Sequence, residues 1–139
     1  AMKELSVRHP EQIAFRIGYD TRIAHIIEAG TDFFVMPSRF EPCGLNQLYS
    51  LRYGSIPIVR ATGGLENSII DFRLDERIAT GIKFVDPSPR ALSEVLDLAL
   101  TLYRDKNLLN KVRDNGMRAD FSWNRTIAEY TKLYKSINH

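Results

Sequence analysis

Short apolar runs alternate along this chain with segments that have the spacing of an amphipathic helix. The runs span residues 12–17, 32–36, 55–59 and 81–85. Parallel strands that are buried on both faces have such short apolar sequences, and the helices between them make the crossover connections. The alternation therefore predicts an α/β fold, a Rossmann-like parallel sheet of about four strands flanked by helices.

Helical spacing fills the segments between and after these runs. The expected helices span 2–9, 21–29, 45–53, 65–70, 88–104, 108–118 and 123–137, and residues 71–80 are expected to form an exposed loop. Asp20 or Thr21 would cap the second helix, and Gly30 would end it. Ser88, which is followed by proline, would cap the fifth helix. Only helical patterns follow Ser88, so the last third of the chain is predicted to be helical.

Three of these helices carry an apolar stripe along one face. At 139 residues the chain is long enough to bury a core, and it is expected to be a single domain, 1–139. The stripes consist of Ile23, Ile26 and Ile27; of Leu92, Val95, Leu96, Ala99, Leu100 and Tyr103; and of Trp123, Ile127, Tyr130 and Tyr134.

Composition limits the partners that the chain could bind. The net charge of +2 is too small to indicate a surface for nucleic acid or an anionic membrane. No apolar run reaches the roughly 18–20 residues of a membrane span, and the charged opening AMKELSVRHP is unlike a signal peptide. Cys43 is the only cysteine, which excludes an internal disulfide and favours a reducing compartment. The alanine before Met2 favours an excised piece of a longer protein.

Three loops follow predicted strands, at the edge where ligands collect in parallel α/β sheets. The loops span residues 18–20, 37–44 and 62–64. In the second, Gly44 precedes a helix whose free N–H groups favour a phosphate, to which Asn46 could add a donor; the alternative is a plain tight turn. Glu41 is an acid beside this anion-binding position, where a carboxylate would suit the hydroxyls of a sugar. Its alternative roles are to cap the helix or to pair with Arg39.

The other two loops have features that could contact the same ligand. Tyr19 could stack on a flat ring, although a lone tyrosine is more often part of the core or the surface. Thr62, Gly63 and Gly64 supply a hydroxyl and a permissive backbone before a helix, and a plain turn fits them equally well. The pattern is not G-x-G-x-x-G, so it does not indicate a dinucleotide fingerprint.

Cys43 lacks the partners of a nucleophile. The three histidines stand at positions 9, 25 and 139, none of them near it in sequence. Without a paired base, a structural or contact role is expected for Cys43, and His25 is expected to be packed within its apolar helix. No histidine or cysteine cluster has metal-ligand spacing, so neither a metal nor a cofactor is expected.

The run from Asp32 to Leu65, which contains PSRFEPCGLNQL, LRYG and TGGL in that order, resembles glycogen synthases and the related starch synthases. IGYD before it and FSWNRTIAEYTKLY near the end are similar to the same family. The resemblance implies the GT-B glycosyltransferase architecture. The chain would be part of its C-terminal, nucleotide-sugar-binding domain.

The resemblance also implies roles for the residues of the three loops. Glu41 would hold hydroxyls of the donor glucose, and Tyr19 would lie against the adenine ring. Asn46 and the helix N-terminus would help to hold the diphosphate of ADP-glucose. The remaining donor contacts would come from Cys43, Gly44, Leu45, Thr62, Gly63 and Gly64.

The chain departs from the complete family pattern in what it lacks. Many retaining glycosyltransferases have a second glutamate eight residues after the first; here that position is Tyr49, and the family also lacks a glutamate there. The family's N-terminal domain, with a lysine in a glycine-rich loop and a catalytic histidine, is not in this sequence. The basic pair that grips the donor phosphates would lie upstream of Ala1.

The resemblance therefore implies a fragment of a retaining glucan synthase that transfers glucose from ADP-glucose to the nonreducing end of an α-1,4-glucan. Its partners would be that donor, a glycogen or starch acceptor and the N-terminal domain of its parent, with no nucleic acid and no membrane. The fragment alone is expected to be inactive, and its location would be the bacterial cytoplasm or a plastid. The alternatives are a glycosyltransferase that uses another nucleotide sugar, such as a UDP-sugar, and a non-catalytic nucleotide- or glucan-binding module.

Overall fold

The computed structural model describes residues 1–137, in which a three-stranded parallel sheet lies among helices. The strands are β1 (Phe33–Met36), β2 (Ile56–Arg60) and β3 (Ile82–Phe84), in the order β1-β2-β3. Ile58 is paired with Val35 on one side and with Ile82 on the other. The predicted α/β class and the parallel pairing are therefore confirmed.

Seven helices in the described residues match the predicted ones closely. They are α1 (Met2–Arg8), α2 (Thr21–Gly30), α3 (Asn46–Tyr53), α4 (Gly63–Ser68), α5 (Pro89–Arg104), α6 (Lys106–Arg118) and α7 (Trp123–Ile137). The Asp20 side chain accepts from the N–H of Ile23, and Ser88 accepts from Ala91, so both predicted caps are confirmed. Gly54 ends α3 in the left-handed conformation, with φ +80°.

The predicted strand over residues 12–17 does not form, so the expectation of a fourth strand is wrong. These residues have no regular structure, and Ile17 is 85% exposed. A strand needs a neighbour to satisfy its backbone N–H and C=O groups, and no strand within residues 1–137 lies beside this segment. The alternation of isoleucine and phenylalanine shows a preference for extended structure, but the pairing is absent.

The core forms on both faces of β2, the central strand. Ile56 and Ile58 face one cluster, in which Val95 of α5 and Leu109 of α6 are buried. Val59 faces a smaller cluster on the opposite side, with residues of α3 and α4. This burial on two faces explains why β2 is apolar without alternation.

Several predicted apolar stripes remain largely uncovered. No residue of α7 is buried, and Trp123 is 76% exposed. In α2, Ile26 and Ile27 are exposed, while Glu28 is buried. The predicted stripe of α5 is buried only in part: Leu96, Leu100 and Tyr103 are exposed, whereas Val95 and Ala99 are buried together with Leu102, which the predicted stripe did not include. The exposed parts of these stripes face surfaces that no element within residues 1–137 covers.

The segment 71–80 was predicted to be an exposed loop, and this is wrong for its two ends. Asp71, Ala79 and Thr80 are buried, and Asp71 forms an isolated parallel bridge with Gly81. The Nδ2 atom of Asn115 in α6 donates to the carbonyls of Arg77 and Ala79, both at 3.0 Å. The ends of this polar segment can be buried because their backbone N–H and C=O groups form hydrogen bonds.

Candidate functional site

The loops after β1 and β2 are in direct backbone contact at the carboxyl edge of the sheet. The N–H of Gly64 donates to the carbonyl of Glu41 at 3.1 Å. A Cβ atom placed on Gly63 would lie 2.1 Å from the carbonyl oxygen of Glu41, and one placed on Gly64 would lie 1.9 Å from that of Cys43. The two glycines are therefore required for this close approach, beyond the turn that the sequence indicated.

Glu41 stands in this contact with its carboxylate unengaged. The residue is half-buried, and within residues 1–137 its side chain forms neither an ion pair nor a hydrogen bond. The helix α3 begins at the N-cap Leu45 without any side-chain cap, and Arg39 contributes only its carbonyl, to Arg60 Nη2 at 3.0 Å. Neither alternative role, capping the helix or pairing with Arg39, is realised.

The N-terminus of α3 follows the same loop. Gly44 has φ +72°, a conformation that favours glycine, and it turns the chain into the helix. Leu45 and Asn46 are exposed at the helix start, where the first N–H groups lack intrahelical acceptors. Cys43 is exposed, and its thiol contacts no histidine within residues 1–137; His139 lies outside the described residues. This end of α3 is accessible to an anionic ligand.

Sequence reasoning missed Gln47, which is 1% exposed although it belongs to the first turn of α3. Its Nε2 atom donates to the carbonyls of Cys43 and Gly44, both at 3.1 Å, and to Ser68 Oγ at 3.3 Å. The hydroxyl of Ser68 in turn donates to the carbonyl of Gly64 at 2.6 Å. The signal available in the sequence was a glutamine four residues after Cys43, directly after a glycine turn.

The first predicted loop, 18–20, does not join the contact between the other two loops, but it shares a cleft with Asn46 at the start of α3. Tyr19, which is 96% exposed, lines an open cleft of about 290 Å³ together with Asn46 and Tyr49, and α2 forms its wall. Arg16 lies in the same cleft and contacts Asp20 across 3.3 Å. The cleft thus joins the first loop to the start of α3, whereas Glu41 and the 62–64 turn are not among its lining residues.

The wall of the cleft contains a buried acid that the apolar pattern of α2 concealed. Glu28 is 1% exposed, and burial raises the pKa of its carboxyl, an effect that His25 partly offsets. His25 Nδ1 lies 3.5 Å from Glu28 Oε2. The His25 ring packs edge-on against Tyr49, with centroids 5.1 Å apart, so the prediction of a packed His25 is confirmed.

Neither metal ligation nor membrane insertion is evident in the part of the chain that the structure describes. Residues 1–137 contain no group of three or more histidine, cysteine, aspartate or glutamate side chains placed to hold a metal ion. None of the helices in that range is long and apolar enough to span a bilayer. The chemistry that the two contacting loops offer is hydrogen bonding, by one free carboxylate and by backbone N–H groups.

Comparison with known proteins gives consistent relatives. A glycogen synthase from Rhodospirillum rubrum is 50% identical over 137 residues, which are 99% of this chain and 28% of that protein. One from Koribacter versatilis is 49% identical over 134 residues, 96% of this chain and again 28% of the relative. The chain thus spans little more than a quarter of the length of the curated relatives it matches. No protein-family model matches it.

Solved structures agree with these sequence matches. The catalytic domain of Arabidopsis thaliana starch synthase IV, bound to ADP and acarbose, is 32% identical, with a TM-score of 0.79 over 96% of this chain and 29% of its own. A sucrose-phosphate synthase from Thermosynechococcus elongatus is 21% identical with a TM-score of 0.67, and this match concerns the fold alone.

Proposed function

We propose that this chain, which is a segment of the glycogen synthase and starch synthase family with the α/β fold of a GT-B glycosyltransferase domain, forms part of the donor site of a retaining glucan synthase. The donor would be ADP-glucose, and the acceptor the nonreducing end of an α-1,4-glucan. Because the chain spans only part of its relatives, the complete activity belongs to a longer protein. The chain would act there as part of the nucleotide-sugar domain, with residues 1–139 as one folding unit.

The observation that carries this proposal is the contact between the 41–44 loop and the 62–64 turn. Two backbones meet so closely that only glycine fits at Gly63 and Gly64, and the loop they support holds an unengaged Glu41 carboxylate beside a helix N-terminus. A fold gains nothing from a half-buried acid without a partner. A ligand that carries hydroxyls and a diphosphate supplies partners both for the acid and for the N–H groups.

The roles proposed for the individual residues follow from this arrangement. Glu41 accepts hydrogen bonds from the glucose hydroxyls, while Asn46 and the start of α3 hold the diphosphate. Tyr19 is fully available to stack on the adenine ring. The other donor contacts come from Cys43, Gly44, Leu45, Thr62, Gly63 and Gly64.

The remaining partners and the location are part of the same proposal. A second domain of the longer protein would close the cleft, and the glucan would enter between the two domains. The basic pair expected upstream of Ala1 would supply cations for the phosphates. The two glycogen synthases named above are bacterial and are more similar to this chain in sequence than the plant starch synthase is, which supports the bacterial cytoplasm over a plastid as the site of action.

The test is a titration of the ¹⁵N-labelled chain with ADP, ADP-glucose and UDP-glucose, followed by amide chemical shifts. We expect ADP and ADP-glucose to bind with millimolar dissociation constants, about −4 kcal/mol, because the second domain is absent from the assay. The shifts should cluster at Tyr19, at 43–46 and at 62–64. Glu41→Gln should weaken ADP-glucose by about threefold to tenfold and leave ADP unchanged, since only the glucose reaches the acid.

Glu94→Gln is the matched control, because Glu94 is an exposed acid on α5 whose ion-pair partner within residues 1–137 is Arg90 alone. It should leave all three titrations unchanged. Tighter binding of UDP-glucose than of ADP-glucose would replace the proposed donor by a UDP-sugar. Shifts confined to residues 101–137 would place the ligand elsewhere and overturn the proposal.

A further inference from the structure

The side chain of Gln47 links the two loops that carry the proposed donor site. The side chain is buried, and its Nε2 atom donates to two carbonyls of the 41–44 loop and to the hydroxyl oxygen of Ser68. From Gln47 the connection runs through the Ser68 hydroxyl to the carbonyl of Gly64. The N–H of Gly64 returns to the carbonyl of Glu41, which closes the circuit.

The direction of each hydrogen bond in this circuit is fixed by chemistry. Ser68 has one hydroxyl hydrogen, which the carbonyl of Gly64 takes at 2.6 Å, so its oxygen accepts from Gln47. A rotated carboxamide would place Oε1 against the carbonyls of Cys43 and Gly44, acceptor against acceptor. In the observed orientation Oε1 is buried without a donor within residues 1–137. The amide is therefore held in place by what its NH₂ group binds.

We propose that Gln47 is a positioning residue of the donor site: its buried carboxamide fastens the 41–44 loop to the 62–64 turn and so fixes where the Glu41 carboxylate stands. That the fixed carboxylate serves a nucleotide sugar rests on the function proposed above. The inference that Gln47 holds the 41–44 loop to the 62–64 turn rests on the hydrogen bonds described above. Gln47 acts through the loop backbone and touches no part of the donor.

Ser50 provides a matched comparison on the same helix. It lies one turn after Gln47, is 0% exposed, and its Oγ has no hydrogen-bond partner within residues 1–137. Both are buried polar residues of α3, but only Gln47 reaches the loops. Ser50→Ala therefore perturbs the burial of α3 without loosening the circuit.

The experiment measures hydrogen exchange at the N–H of Gly64, whose acceptor is the carbonyl of Glu41, in the ¹⁵N-labelled chain. Gln47→Met keeps the length of the side chain and removes its donors. We expect exchange at Gly64 to accelerate by about tenfold or more in Gln47→Met, and by less than about threefold in Ser50→Ala. Equal exchange at Gly64 in the two variants would overturn the inference.

Gln47→Glu provides an independent test, in which exchange at Gly64 is measured as a function of pH. It replaces Gln47→Met if that variant does not fold. A carboxylate at this position would face two carbonyl oxygens, whereas a protonated carboxyl would again donate, and burial favours the protonated form. Relative to wild type at each pH, Gly64 should be unprotected at pH 8 and regain protection towards pH 5.5. Exchange that does not depend on pH beyond the wild-type trend would count against the role of Gln47 as a donor.

Titration with ADP-glucose separates this inference from the proposed function. Gln47→Met should weaken ADP-glucose by about as much as Glu41→Gln does, and the double variant should lose less than the product of the two effects, because both act at one carboxylate. If Glu41→Gln weakens ADP-glucose and Gln47→Met does not, the positioning role is wrong and the proposed function stands. If the wild type binds no ADP-glucose, the proposed function is wrong, and the exchange rates at Gly64 still test whether Gln47 holds the 41–44 loop to the 62–64 turn.

Discussion

Helices α6 and α7 are similar in length and both have an apolar stripe, yet only one of them is packed. In α6, Leu109 and Val112 are 1% and 0% exposed, and they complete the core over β2. In α7 no residue is buried, and Ile127 and Leu133 are more than half exposed. An amphipathic pattern therefore indicates that a helix packs against another surface. It does not indicate whether that surface belongs to the same segment of the chain.

The same contrast separates the centre of the sheet from its edge. β2 is covered on both faces, whereas β1 is an edge strand whose Val35 is 40% exposed, and the neighbouring α2 exposes Ile26 and Ile27. The relatives are more than three times as long as this chain, as the 28% coverage implies. Uncovered apolar surface of this kind fits a segment that normally packs against further parts of a longer chain.

The largest effect should come from one substitution made in both helices, Leu109→Ala and Leu133→Ala. Leu109 is 1% exposed, so its truncation leaves a cavity and should lower the free energy of unfolding by about 2–5 kcal/mol. Leu133 is 53% exposed, and its truncation should change that energy by no more than about 0.5 kcal/mol. Urea denaturation of both variants gives the two values. Similar losses would mean that α7 packs in solution, for example against a second copy.

A smaller effect should distinguish a glycine in backbone contact from one in open space. Gly64→Ala would bring a Cβ within 1.9 Å of the Cys43 carbonyl, and relieving this clash should cost about 1–3 kcal/mol. Gly30→Ala meets nothing within 4 Å at the end of α2, and it should be neutral or stabilise by up to about 1 kcal/mol. The comparison is again made by denaturation. A neutral Gly64→Ala would show that the two loops separate easily.

The smallest effect concerns the buried acid of α2, tested by Glu28→Gln with Glu94→Gln as the exposed control. Burial raises the pKa of Glu28 above 4.5, so the folded protein binds this proton more tightly than the unfolded chain does. The stability linked to that proton is present below pH 4.5 and is lost as the pH rises through the folded pKa. Glu28→Gln should therefore gain melting temperature relative to wild type between pH 5 and pH 8, whereas Glu94→Gln should not. A difference that shrinks with rising pH would contradict the raised pKa.

Local signals in the sequence predicted much of the fold. The caps at Asp20 and Ser88 depend on a few neighbouring residues, and both are confirmed. The strand at 12–17 and the stripe of α7 depended on partners elsewhere, which no local pattern can report. The burial of Glu28 was concealed for the same reason, because the surrounding isoleucines suggested an apolar face that in fact lies exposed.

The sequence indicated where two loops of the candidate site lie, because the 37–44 and 62–64 loops follow the predicted strands that form β1 and β2. Glu41 stood out in the first of these loops as an acid beside a helix start, and the resemblance then implied its role. Gln47 was missed because a glutamine in the first turn of a helix is usually exposed, and its burial depends on Ser68, which is distant in sequence. The roles of the site residues towards a ligand remain predictions.

The strand order β1-β2-β3 has a consequence for how the segment forms. Within residues 1–137, β2 pairs with β1 and β3 pairs with β2, each through a single crossover, and no strand is inserted between two earlier ones. The pairings are therefore of low contact order for a parallel sheet, and loop closure costs little entropy at each step. During synthesis the strand pairings can therefore form in chain order, whereas the face of β2 that packs on α5 and α6 is covered only after those later helices have been made.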